Sequence, residues 1–150
     1  MHKISEIVRI FDKYNSEYRK VENDYQSVLK SISDYIQSVP SFKEIIKPSF
    51  EERRNELYFR EFNITVTIED SIKLCELYDS LHYSKQIVFY FEKDRSNKEE
   101  IYKVFISDDG FIVEDIYGQG SICDTHNSYK GKLILEKLLI KLVENKVISV

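Results

Sequence analysis

Residues 62–81 read FNITVTIEDSIKLCELYDSL, and the way this stretch is divided decides the fold class. Phe62, Ile64, Val66 and Ile68 alternate with Asn63, Thr65 and Thr67, the period of two that marks a half-buried strand. Beyond that point the apolar residues open out to Ile68, Ile72, Cys75 and Tyr78, steps of four and three that gather on one face of a helix. Thr67 and Asp70 resemble a capping box with Asp in place of Glu. The stretch therefore predicts a strand that runs into a helix over about residues 69–81.

Working toward the C-terminus, Gln86–Glu92 holds Ile87, Val88, Phe89, Tyr90 and Phe91 in succession, as expected of a central strand covered on both faces. Residues 101–107 and 111–117 form two more β runs joined by Asp109-Gly110, a favoured type I′ hairpin pair. Tyr129–Asn145 places Leu135, Leu138, Leu139 and Leu142 on one side of a core helix.

Toward the N-terminus, Ile4, Ile7, Phe11, Tyr14, Tyr18, Val21, Tyr25, Val28, Ile32, Tyr35 and Val39 alternate by three and four. That heptad stripe predicts that the segment 1–39 is one amphipathic helix running from about residue 3 to 39, about 54 Å long at 1.5 Å per residue. A 150-residue globule is only about 38 Å across, so such a helix overhangs the body or breaks. Pro40 ends it. Ser41–Lys47 predicts a short second helix stopped by Pro48, and the charged run from Glu51 to Glu56 a solvated connector. The expectation is one α+β domain: a long and a short helix, then β-α-β-β-β-α over residues 57–150. Its four-stranded, mainly antiparallel sheet would be covered by helices.

The bulk numbers bound the function classes. With 42% apolar residues, 13% aromatics and 32% charge, the chain has the apolar content that offsets conformational entropy on folding. There is no run of eighteen apolar residues, and Glu6 interrupts the N-terminus before an apolar signal segment could form. Two cysteines, Cys75 and Cys123, have no CxxC spacing, which suggests free thiols in a reducing compartment. A cytoplasmic protein without membrane partners is the resulting expectation. The net charge of −4 is uneven, with residues 55–127 holding 15 acidic and 7 basic side chains. That acidic middle disfavours nucleic acid, whose phosphates require Lys and Arg.

Potential chemistry concentrates between Gly118 and Ser128. Cys123 with His126 could act as thiolate and base. Cys75, His82, Cys123 and His126 have the chemical types of a zinc site without finger spacing. Gly118-x-Gly120-Ser121 stands eight residues from the next helix, too far to cradle a phosphate there. A plain reading covers all three: a polar loop in which Asn127 or Ser128 caps the last helix, with Cys75 as a core residue. No catalytic residue, metal or cofactor is assigned on this basis.

Asp108, Asp109, Glu114, Asp115 and Asp124 could instead form an acidic edge, and complementary charge selects protein partners without exact ligand geometry. The expected function is thus a non-enzymatic protein-binding module, most concretely a small bacterial immunity or antitoxin-like protein that neutralises a basic toxin through these five residues. The alternatives are a small enzyme using the Cys123/His126 loop, and a homodimeric structural or regulatory protein assembled through residues 4–39.

Overall fold

The computed structural model describes residues 3–51, 54–94, 97–117 and 121–148. Helix α1 (Ile4–Ser38) and helix α2 (Pro40–Ile45) come first. Seven strands follow: β1 (Ile46–Phe50), β2 (Asn55–Phe59), β3 (Ile64–Leu77), β4 (Ser80–Asp94), β5 (Asn97–Ser107), β6 (Phe111–Val113) and β7 (Cys123–Asp124). Helix α3 (Lys130–Glu144) closes the order. Among the described residues the strands form one antiparallel meander in sequence order, curled into a half-barrel. Tyr25, Val28, Ile32 and Ile36 of α1, Ile134, Leu135 and Leu138 of α3, and the inner residues of β2–β6 share one core.

The expected four-stranded sheet with a helix over residues 69–81 is overturned. Those residues continue β3 and turn back into β4, paired from Val66↔Phe91 to Leu77↔Ser80. The spacing of Ile68, Ile72 and Cys75 would suit a helix, but Thr67, expected to cap it, is buried in the ladder opposite Tyr90. A twelve-pair ladder satisfies the backbone of both strands. Weak local helical spacing cannot match it. Pro48, expected to stop a helix, lies in β1, at the edge of the sheet, where a missing N–H is tolerated.

The two hairpin turns also differ from expectation. Tyr78 and Asp79 have φ of 52° and 62°, the paired positive angles of a type I′ turn. At the β5–β6 connection only Gly110 is left-handed, with φ 88°, and its N–H donates to Ser107 O at 3.1 Å. That is a three-residue loop with a type I turn and a left-handed glycine.

Helix α1 spans 35 residues, about 52 Å at 1.5 Å per residue. Its heptad stripe does not stay on one side of the fold. Val21, Tyr25, Val28, Ile32 and Ile36 are buried, whereas Ile4, Phe11 and Tyr18 are exposed. A straight helix drifts about 20° per heptad against a strict seven-residue repeat, so over the four heptads from Ile32 back to Ile4 the Ile4, Phe11 and Tyr18 row turns away from the sheet, while Ile7 and Tyr14 stay packed against it. Ile10 takes over as the buried contact and packs with Val21, Leu81 and Tyr83.

Two contacts set how α1 sits. Lys85 of β4 is only 3% exposed and pairs with Asp70 at 2.6 Å and with Glu22 of α1. Its ammonium also lies 4.9 Å from the Tyr25 ring centre. Burial pushes the Lys85 pKa down, but the hydrogen bonds to Asp70 and Glu22 outweigh it and leave the pKa raised. On the other side, Gly131 lets α3 press against the α1 backbone, and its N–H donates to Ser31 Oγ at 2.9 Å.

Candidate functional site

A cleft of about 530 Å³ opens where the β3–β4 turn, the β5–β6 loop and α1 converge. Leu77, Tyr78, Phe111, Val113, Ile116 and Tyr117 supply apolar wall, and Lys13, His82, Asp108, Asp109 and Asp115 supply charge and hydrogen-bonding groups. The long β3–β4 hairpin carries its tip to this point. Tyr78 is 97% exposed there and adopts positive φ, a conformation unfavourable for a bulky side chain. Nothing in the core explains that tyrosine.

The five acids expected to form one edge are not equivalent. Asp108, Asp109 and Asp115 line the cleft. The Asp108 side chain is 7% exposed and is held by Lys13 Nζ at 3.1 Å and by His82 Nδ1 at 2.9 Å. Glu114 pairs with Lys137 of α3 at 3.1 Å, and Asp124 accepts the His126 N–H at 2.7 Å; neither lines the cleft. Asp109 accepts from Ser107 Oγ, and Asp115 accepts the Tyr117 N–H at 2.9 Å. Among the described residues no ion pair engages Asp109 or Asp115, so these two carboxylates keep their charge available at the rim.

Cys75 and Cys123 are free and buried. Burial pushes both thiols up, with a smaller contribution from Asp108 at Cys75 and a partial offset by Lys130 at Cys123. A nucleophilic cysteine requires the opposite shift. Cys75 and His82 are cross-strand neighbours, with the Cys75 thiol 3.7 Å from His82 O. Cys123 pairs with Ile112 in the β6–β7 ladder. Among the described residues no three of His, Cys, Asp and Glu come together as a metal group. Gly118, Gln119 and Gly120 of the glycine-containing segment lie outside the described residues. Neither Asn127 nor Ser128 caps α3, whose N-cap is Tyr129 without a side-chain cap; Asn127 instead accepts the Tyr129 N–H at 2.8 Å in the preceding turn.

One arrangement was invisible to sequence spacing. His82 Nε2 lies 3.0 Å from Ser80 Oγ while its Nδ1 lies 2.9 Å from Asp108 Oδ2. Ser80 and His82, two apart on β4, project to the same side of the strand. Asp108 arrives from the end of β5, because Ser84 pairs with Ser107. The alternation of β4 could have placed Ser80 beside His82, but only the β4–β5 register brings in the aspartate. No known protein family matches the chain, and neither a curated protein nor a solved structure shows significant similarity to it.

Proposed function

We propose that the chain is a protein-binding module that receives a basic side chain of its partner in the cleft between the β3–β4 and β5–β6 turns. In its most concrete form it is an immunity or antitoxin-like inhibitor of a basic toxin. The observation that carries the reading is Tyr78, an exposed aromatic held at positive φ on the rim of a cleft that also holds Asp109 and Asp115. Backbone strain of this kind persists where the surroundings impose it and clusters at functional positions. Exposed aromatics beside free carboxylates suit a Lys or Arg, whose stem packs on the rings while its head meets the negative charge.

The test is a pull-down from native lysate with the wild-type chain and with Tyr78→Ala/Asp109→Asn/Asp115→Asn, followed by titration of the recovered protein. The expected result is a stoichiometric basic partner whose Kd rises at least about thirtyfold in the variant, since an aromatic anchor is worth about 2 kcal/mol or more. No stoichiometric partner, or one indifferent to all three changes, overturns the reading.

A second reading, self-association through α1, is favoured by the exposed stripe of Ile4 (74%), Val8, Phe11 (57%) and Tyr18. It confines the interface to the first half of the helix, because the second half is used by the core. Light scattering of the wild type and of Ile4→Ser/Val8→Ser/Phe11→Ser decides it. A dimer that becomes monomeric in the variant supports it, and a monomeric wild type at micromolar concentration removes it.

A further inference from the structure

We propose that Ser80 is an activated nucleophile and that the chain hydrolyses small carboxylic esters presented at the cleft. The inference stands on the Ser80–His82–Asp108 chain and is independent of whether a protein partner binds.

The protonation pattern follows from the contacts. Asp108 is ion-paired with Lys13 at 3.1 Å, and an ionised carboxylate can only accept hydrogen bonds. His82 Nδ1, 2.9 Å from Asp108 Oδ2, must therefore carry a proton and donate. In the neutral ring this leaves the lone pair on Nε2; the single Ser80 hydroxyl proton has two acceptors in reach, Nε2 at 3.0 Å and Leu77 O at 3.3 Å, and goes to the nearer. A hydroxyl donating to an imidazole whose far nitrogen is fixed by a carboxylate is the relationship that lets serine act as a nucleophile, wherever the three residues fall in a sequence. His82 also lines the cleft, so the base stands beside a space large enough for a small ester. Leu77, Phe111 and Val113 give that space an apolar wall.

The chemistry balances with water as the only co-reactant. Ser80 Oγ forms a bond to the ester carbonyl carbon as its proton passes to His82 Nε2. The bond to the alkoxy oxygen then breaks, and the imidazolium returns that proton to the leaving alcohol. Water, deprotonated by the same nitrogen, attacks the acyl-serine. Its O–C bond to Ser80 breaks, the carboxylic acid leaves, and Ser80 regains its proton. Asp108 touches no substrate and serves to position and charge-stabilise His82.

The experiment treats the full-length protein with a fluorophosphonate probe, which loses fluoride when a serine oxygen bonds to its phosphorus, and locates the adduct by peptide mass spectrometry. In parallel, hydrolysis of p-nitrophenyl acetate is followed in the wild type, Ser80→Ala and His82→Asn. The expected result is an adduct on Ser80, ester turnover abolished by Ser80→Ala, and labelling slowed at least about a hundredfold by His82→Asn. Circular dichroism confirms that each variant is folded. Because Asn can still accept or donate at the turn, His82→Gln serves as a second variant if His82→Asn fails to fold. A chain that merely ties the hairpin tip to the β5 end gives no adduct on Ser80, and that outcome overturns the proposal. So does labelling that proceeds equally fast without His82.

Discussion

Gly131 shows how a single side-chain position governs the union of two elements. A Cβ placed there would lie 2.2 Å from the Ser31 carbonyl carbon and 2.4 Å from Ile32 N, both backbone atoms that cannot rotate aside. Gly131→Ala must push α3 away from α1 and stretch the 2.9 Å hydrogen bond to Ser31 Oγ. The expected destabilisation is at or above the upper end of the roughly 1–3 kcal/mol range for overpacking, read as a lower midpoint in urea unfolding. Ser31→Ala, which removes only the acceptor, should cost about 1 kcal/mol. Equal effects from the two changes would show that the helices are not in close contact here.

At the scale of the element, the β3–β4 hairpin is held by a long ladder but turned by residues poorly suited to the turn. Tyr78 and Asp79 both occupy left-handed conformations, where Asn and Gly fit with little strain. Tyr78→Asn/Asp79→Gly should raise stability by about 1 kcal/mol, within the range of turn optimisation, measured by thermal or urea unfolding. If the cleft binds a basic partner as proposed, the same pair should weaken that binding, because Tyr78 belongs to the cleft rim. A gain in stability with undiminished binding would separate the turn from the binding face. Helix α3 makes a similar choice at its end: Val147 N–H and Lys146 N–H return to Leu142 O at 2.9 Å and Val143 O at 3.0 Å, with Lys146 at φ 59° in the place glycine commonly takes.

At the scale of the whole molecule, its buried phenols and the Lys85 network make alkaline pH the revealing condition. Burial holds Tyr25, Tyr83 and Tyr102 above the ordinary 10.0 of a free tyrosine, and Lys85 stays above its ordinary 10.5. Above those ordinary values the unfolded chain has lost protons that the folded chain keeps, so stability falls as pH rises. Below them both states hold the protons, and these groups cause no pH dependence. Urea midpoints should therefore drop between pH 9 and pH 11, and Tyr83→Phe, which keeps the ring and removes the ionisable hydroxyl, should flatten the fall. An unchanged slope in that variant would mean that Tyr83 is not among the groups responsible.

Much of the helical structure was legible from local spacing. The alternation from Ile4 to Val39 marked α1 to within a residue or so, and Leu135, Leu138 and Leu142 marked α3, because a helix closes its hydrogen bonds within its own segment and must show its buried face at a period near 3.6. The run from Ile87 to Phe91 marked the centre of β4, where both faces are covered. Of the candidate site, Asp108, Asp109 and Asp115 were visible as a cluster of charge, and His82 only as one of a zinc-type set with Cys75, Cys123 and His126. Tertiary structure alone decided that residues 69–77 extend a strand, that β1, β2 and β7 exist, and that Asp108 meets His82 while Tyr78 stands at the cleft. A strand finds its partners on other segments, and past Ile68 β3 carries the polar run Glu69, Asp70 and Ser71, of which Asp70 meets Lys85 beneath α1. With polar residues on both sides of the strand there, the sequence shows no apolar alternation, and only the register with β4 and β5 could settle which side chains meet.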